Sequence, residues 1–328
     1  MHKLTTVATV LDPEGRQIDQ AQLGSSDAEL IRHLDQFPAP KNAVLEACNV
    51  WPHVYDAACT AGAEVTLAHP YRIRVISEAS LRSDRVDSAA LAQLLRLHAV
   101  PMAFAPDPAT RDLRQLVRDR AFYKRQESSV RNHIYATLLR RGIPYQDGVL
   151  GLKRKREQLR ELHLSDVDRG PDVLAHFDDT CKEMDGQTRE AFLASKEAQL
   201  LATVPGIGEF TALAPVPEIG PVDRLPNVEK ICSYVGLVLR NFQFGEHSYR
   251  GRLKSDCNVL AQWLLIEASW THRQWSKNDD GSKPVKRVTR RRGKKIGDVA
   301  GAHKLAKIVH AILRPGTPYT PERPGPGT

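Results

Sequence analysis

Three carboxylates have the clearest capacity for chemistry. Asp84 and Asp87 stand three apart in the segment Leu81-Arg-Ser-Asp-Arg-Val-Asp87, and Glu46 closes the apolar run Ala43-Val44-Leu45. If Ser83 caps a helix that runs on through Ala89, Leu91, Leu94 and Leu95, both aspartates lie on one face of its first turn. The run before Glu46 has the pattern of a buried strand, and Cys48-Asn-Val-Trp-Pro52 turns the chain after it. Glu46 is thus expected at a strand's C-terminal end, where open α/β sheets place their sites. Oxygen ligands of this kind suit Mg²⁺, which combines carboxylates with water and substrate phosphate and clamps in-line phosphoryl displacement. The three acids are read as converging on one Mg²⁺-binding edge. A local explanation competes with this one, because the helix macrodipole favours first-turn acids whether or not anything binds them.

The elements that must position these acids follow from periodicity. Residues 5–11 are β-branched and alternating, and the turn Asp12-Pro-Glu-Gly-Arg16 leads into a second extended stretch, which predicts a hairpin. Residues 27–36 read as a helix capped by Ser25 or Ser26, residues 52–61 as a helix with Pro52 in its first turn, and residues 64–68 as a strand. Hairpin, helix, strand, helix, strand, helix describes a mixed-sheet α/β layer ending near Val100. Pro101, Pro106 and Pro108 mark a boundary. Beyond it, residues 111–141, 153–162 and 173–201 carry helical spacing, with Leu113, Leu116, Val117, Val130, Ile134, Leu138 and Leu139 along the first. Such helices form either a coiled-coil stalk that joins copies of the chain or a hairpin packed on itself.

In the rear half, Pro205-Gly-Ile-Gly208 is the sharpest local signal. Between two helices, Pro205, Gly206, Ile207 and Gly208 make a helix-hairpin-helix turn whose backbone N–H groups can face a DNA phosphate. Lys283, Lys286, Arg287, Arg290, Arg291, Arg292, Lys294 and Lys295 follow with no acid among them, and they equal the whole net charge of +8. Residues 1–100 hold nine Lys and Arg against twelve Asp and Glu. An acidic front with metal-type carboxylates and a basic rear fit a nucleic-acid enzyme, since phosphate contacts supply sequence-independent affinity. A solvated loop is the plainer reading of the basic run. Trp263, Trp270 and Trp275 lie beside Leu264, Leu265 and Ile266, a setting that favours core packing over base stacking.

At 328 residues the chain exceeds one hydrophobic core, and its 41% hydrophobic and 26% charged content is that of a folded protein. It has no run of eighteen apolar residues and no signal-peptide pattern, so a cytoplasmic location with no membrane partner is expected. The five cysteines are scattered without metal-site spacing and read as reduced thiols.

Taken in series, the chain resembles the DEDD transposases of the IS110 class of insertion sequences. The Glu46 segment, Leu81 to Asp87, Arg111-Asp-Leu-Arg-Gln-Leu-Val-Arg-Asp-Arg120, Val204-Pro-Gly-Ile-Gly208, Tyr234-Val-Gly-Leu237 and Ser248-Tyr-Arg-Gly-Arg252 carry the resemblance, which spans nearly the whole chain. It implies a RuvC-type, RNase H-like domain over 1–100, a helical or coiled-coil connection over 101–200, and a mainly α transposase domain over 201–314 with the helix-hairpin-helix. A tail over 315–328 is disordered by composition. The implied activity is site-specific DNA recombination, with Mg²⁺-dependent strand cleavage and joining at a four-carboxylate site and a serine nucleophile. DNA is the expected partner, contacted by the hairpin turn, Arg250, Arg252 and the basic run; a structured RNA and a second copy of the chain are further candidates. Glu46, Asp84 and Asp87 match the second, third and fourth acids.

Two departures qualify the match. The family's first acid ends a strand that would fall one residue upstream of Met1. The Ser-Gly pair expected before the Arg-Gly-Arg segment reads Phe244-Gly245, and phenylalanine cannot attack phosphorus. Ser248 and Ser255 are the nearby hydroxyls, and Ser248 is taken as the candidate catalytic residue. A non-catalytic nucleic-acid-binding derivative of such an enzyme is the competing reading.

Overall fold

The computed structural model describes residues 4–76, 83–146, 148–151, 153–160, 169–244, 247–275 and 282–320. Leu81 and Arg82 of the acid motif, Gly245, and the tail from Pro321 lie outside the described residues. The chain divides into two compact units, 1–105 and 106–328.

In the first unit, β1 (Thr5–Leu11) and β2 (Gln17–Gly24) form the antiparallel hairpin, its turn closed by Asp12, whose carboxylate accepts the Arg16 N–H at 2.7 Å. Ser26 caps α1 (Asp27–Leu34) by accepting the Glu29 N–H. Then come β3 (Lys41–Glu46), α2 (Trp51–Thr60) with Pro52 in its first turn, and β4 (Ala63–Ala68), which runs parallel to β3 in the register Glu46 opposite Ala68. A helix that periodicity did not reveal, α3 (Pro70–Ile76), precedes α4 (Asp84–Arg96). Its seven residues include Ile73, Val75 and Ile76, which are β-branched and at that length read as extended chain.

The expected single mixed sheet is, among the described residues, two separate two-stranded pieces, β1 with β2 and β3 with β4. Helix α4 packs on both β1 and β3. It is tied to the hairpin by Ser88 and Thr9 hydroxyls 2.7 Å apart, by Gln20 Nε2 donating to the Arg85 carbonyl, and by Gln93 Nε2 donating to the Gly15 carbonyl. No residue of α4 is buried, and the local core is Leu30, Val54 and Ala57 with Leu23, Ile31 and Leu45 against it. Helix α4 thus packs on two strand pairs that, among the described residues, are not joined into one sheet.

The second unit begins with α5 (Pro108–Arg140), capped by Asp107, whose carboxylate accepts the Thr110 N–H and hydroxyl and is held below its ordinary pKa by those bonds. There follow α6 (Lys153–Arg160), α7 (Arg169–Ala194), α8 (Lys196–Ala202), α9 (Glu209–Leu213), α10 (Pro215–Ile219), α11 (Val228–Tyr234), the hairpin β5 (Leu239–Phe244) and β6 (His247–Leu253), α12 (Val259–Trp275), α13 (Ser282–Arg292) and α14 (Lys294–Leu313). The helix expected over 173–201 is two, because Ser195 takes extended geometry and caps α8 through the Ala198 N–H. Helices α5 and α7 pack on each other, with Ile134, Leu138, Leu150 and Leu174 in one cluster and Val117 and Phe192 in the main core. That pairing is the in-chain hairpin. For the same reason the expected 101–200 and 201–314 segments form one unit, and the boundary falls after Ala105 instead of Val100.

The described part of the tail is ordered against the body. The Thr317 N–H donates to the Ile312 carbonyl, and the Tyr319 N–H donates to Thr203 Oγ1 at 2.8 Å. Among the described residues no helix is long and apolar enough to cross a membrane.

At the centre of this unit is Glu218 at the C-terminal end of α10, with no exposed surface. Arg118 of α5 holds both its oxygens, at 2.7 and 2.9 Å, and Asn258 Nδ2 donates at 2.6 Å. Its backbone carbonyl accepts from Arg114 and from the Tyr234 hydroxyl. The carboxylate raises the Arg118 guanidinium above its ordinary pKa. Removing one partner of such a pair leaves a buried charge uncompensated, so Arg118→Met should cost about 3 kcal/mol in urea unfolding. A loss within experimental error would mean that the pair is not what joins α5 to α10.

Cys181 and Cys232 are buried, and burial pushes the Cys232 thiol up to about 11 from 9.0. The folded chain therefore holds that proton more tightly than the unfolded chain. The resulting stabilisation is complete below pH 9 and is lost as pH rises through about 11. The stability advantage of wild type over Cys232→Ala should shrink across that window in chemical denaturation.

Candidate functional site

Glu46 ends β3 half-buried, and its carbonyl accepts the Cys48 N–H at 2.8 Å as the chain turns away. Asp84 and Asp87 occupy the first turn of α4, both exposed, behind Ser83, whose Oγ accepts the Val86 N–H at 3.3 Å. The local geometry foreseen for each acid is present, yet the convergence is not. Among the described residues no three His, Cys, Asp or Glu side chains come together as a group able to hold a metal ion. The donor chemistry suits Mg²⁺, but Glu46, Asp84 and Asp87 as placed do not close round one. The physical reason lies in the ladder: α4 rests on β3 and β1 as separate pieces, with no continuous sheet edge to draw its first turn toward the end of β3.

In the second unit the segment over 204–208 is a tight turn between α8 and α9. Gly206 has φ +84°, and a Cβ there would meet the His272 amide nitrogen at 2.8 Å and the Thr271 carbonyl carbon at 2.9 Å. The Pro205 carbonyl bonds to His272 Nδ1 at 2.8 Å. The turn is thus pressed on the backbone of α12, and Pro205 and Gly208 remain exposed. The second helix of the expected helix-hairpin-helix is only five residues, stopped at Pro215, which opens α10.

The basic run is helical rather than a loop. Lys286, Arg287, Arg290, Arg291 and Arg292 lie on α13, all exposed, and Lys294 and Lys295 open α14 after Gly293, whose φ of +88° lets the chain change direction. Val285 and Thr289 face inward, against Gly301 and Gly297 of α14. These contacts leave the cations outward.

The β5–β6 ribbon pairs Gln243 with Ser248 and Phe244 with His247. Strand alternation therefore puts positions 244 and 248 on opposite faces, so Ser248 is not a neighbour that simply replaces Phe244. Arg250 pairs with Asn241, and Arg252 is exposed beyond a bulge. Sequence reasoning missed the open recess of about 420 Å³ at the base of this ribbon, lined by Val238, Leu239, Arg240, Asn241, Lys254 and Asp256. Arg240 donates to the hydroxyl of Ser255 beside it. Arg240 and Lys254, at either end of the segment that forms the ribbon, were the available signal.

The structure thus joins an α/β unit, whose three candidate acids stand apart, to a helical unit with an exposed cationic face. Two family models match the chain: one for DEDD transposases of the IS110 type, described as "Transposase", over residues 1–142, and one described as "Transposase IS116/IS110/IS902 family" over residues 198–283. The chain belongs to this family of insertion-sequence transposases. It is similar to the transposase for insertion sequence element IS1111A of Coxiella burnetii, 23% identical over 283 residues, covering 82% of this chain and 77% of that one. The transposase for insertion sequence element IS1328 of Yersinia enterocolitica is 24% identical over 79% of each chain. The putative transposase y4qE of Sinorhizobium fredii is 23% identical over 77% of this chain and 64% of its own length.

Gly206 and Gly208 should separate in mutagenesis. Gly206→Ala combines a left-handed backbone with neighbours that are backbone atoms and cannot yield, at a cost of about 2 kcal/mol or more. Gly208→Ala meets nothing within 4 Å and has φ −84°, so thermal melting should be unchanged. Equal losses at the two glycines would contradict the packing of this turn on α12.

Proposed function

We propose that this chain binds the DNA of its insertion sequence through the second unit and takes part in Mg²⁺-dependent strand cleavage and joining. The observation that carries the reading is the helical, outward-facing cation array from Lys286 to Lys295, in a chain whose relatives are transposases. Counterion release from such an array supplies affinity for any sequence. The hairpin turn Pro205 to Gly208 and the ribbon residues Arg250 and Arg252 are the further backbone contacts in this reading.

Glu46, Asp84 and Asp87 are the residues that would hold Mg²⁺, which when bound would polarise the scissile phosphate. They become a site only if the end of β3 and the first turn of α4 draw together with a fourth acid, and the gap between the two strand pairs is where a further strand would bring one. Ser248 is the candidate nucleophile. The neighbouring hydroxyl of Ser255, already engaged by a cation, is the alternative. A structured RNA and a second copy of the chain are the partners the family resemblance adds.

The test is gel-resolved cleavage and joining of element-end DNA with and without Mg²⁺. Metal-dependent products that vanish in Glu46→Gln and Asp84→Asn and in Ser248→Ala support all three assignments. Products that survive Ser248→Ala and vanish in Ser255→Ala move the nucleophile. Replacing Arg290, Arg291 and Arg292 with Gln should reduce the slope of log affinity against log salt by close to 3. DNA binding that ignores both salt and these arginines would sink the proposal.

A further inference from the structure

Two of the three indoles that adjacency placed in the core, Trp263 and Trp270, are not there, and the side chain of Trp275 lies outside the described residues. On α12, Ala261, Leu264, Leu265 and Ala268 are buried, whereas Trp263 and Trp270 are 36% and 38% exposed. The two indoles stand seven positions apart, so both fall on one outer face, about 10 Å apart along the axis. Val259, 63% exposed, extends the same stripe by a turn. Burying an indole is worth several times what a small apolar side chain yields, so two indoles left part-exposed on one stripe mark a surface that something covers.

The charge around them selects the occupant. Lys294 Nζ lies 3.9 Å from the centroid of the Trp270 ring. Helix α14 packs on α12 and α13 packs on α14, so Lys294 stands at the stripe and the other six cations from Lys286 to Lys295 are exposed on α13 and at the start of α14. Glu267 is the one acid on α12. A second copy presenting the same face would bring like charge against like, while a polyanion with flat apolar rings satisfies both features at once. Duplex DNA offers the charge but keeps its ring faces stacked inside; an unpaired strand offers both.

We propose that Trp263 and Trp270 form a stacking platform for the bases of an unpaired DNA strand, with the phosphates of that strand on the cations of α13 and α14. This rests on the DNA-handling reading above and adds the form of DNA that this face takes. Lys294 covers part of the Trp270 ring until a phosphate draws the ammonium aside and a base takes its place.

The experiment is fluorescence anisotropy of the full chain with labelled oligo(dT), a duplex of equal length and oligo(rU), over a salt series. Wild type should prefer oligo(dT) to duplex. Trp263→Ala and Trp270→Ala should each weaken oligo(dT) about tenfold, leaving duplex affinity and the salt slope unchanged, while Trp263→Phe and Trp270→Phe retain most of the binding. Ala variants that bind oligo(dT) like wild type overturn the platform, with duplex affinity showing that the DNA reading stands. Loss of all DNA binding by wild type overturns both. Tighter, indole-dependent binding of oligo(rU) would overturn the assignment to DNA, and a wild-type dimer that the Ala variants dissolve would give the stripe to a second copy.

Discussion

The second unit depends on one buried carboxylate. Glu218 at the end of α10 is reached by Arg118 from α5, by Asn258 from the start of α12, and through its carbonyl by Arg114 and by Tyr234 of α11. Five-residue helices such as α9 and α10 have no stability of their own. Helix α9 is held by Ala212 and Leu213 in the main core, and α10 because the desolvated charge of Glu218 is met from several directions by elements thereby fixed against one another. Arg224 adds a second layer, donating to the Ile219 carbonyl and lying 4.8 Å from the Tyr234 ring centroid. The surfaces assigned to DNA are all carried on this framework, with α12 as the shared wall: the hairpin turn is pressed on its C-terminal end and α14 packs along it.

The first unit is organised differently and more loosely. Its elements are locally well specified, by caps at Ser26 and Ser83, by Pro52 in a first turn and by the closed turn at Asp12. What joins them is a thin cluster around Leu30, Val54 and Ala57, together with hydrogen bonds from α4 to the hairpin. Two strand pairs bridged by a helix bury less apolar surface than one sheet would. The same gap leaves the acids uncollected: Glu46 belongs to one piece of sheet, and the helix bearing Asp84 and Asp87 is hydrogen-bonded to the other.

The nucleophile question has the same geometric character. In linear sequence Ser248 lies four residues from Phe244, a distance that invites substitution. On a ribbon whose tip lies between the two, those four residues become a change of face. Ser255, farther along the chain, stands beside a cationic recess instead.

The local elements were legible in the sequence because their determinants are local. Ser83 before Asp84, alternation over 5–11, the apolar run before Glu46 and the spacing along α5 each state a dihedral preference or a period that neighbours cannot hide. The series of motifs likewise carries the family resemblance in the sequence alone. Tertiary structure alone decided what depends on distant atoms. Whether three carboxylates meet is set by strand pairing; whether Trp263 or Leu264 is buried is set by which face of α12 meets α14; whether Gly206 serves a phosphate or a close approach to His272 is set by a helix some sixty-five residues downstream. Sequence records the preference of each residue for a conformation, while burial and convergence belong to pairs of residues that the chain brings together only on folding.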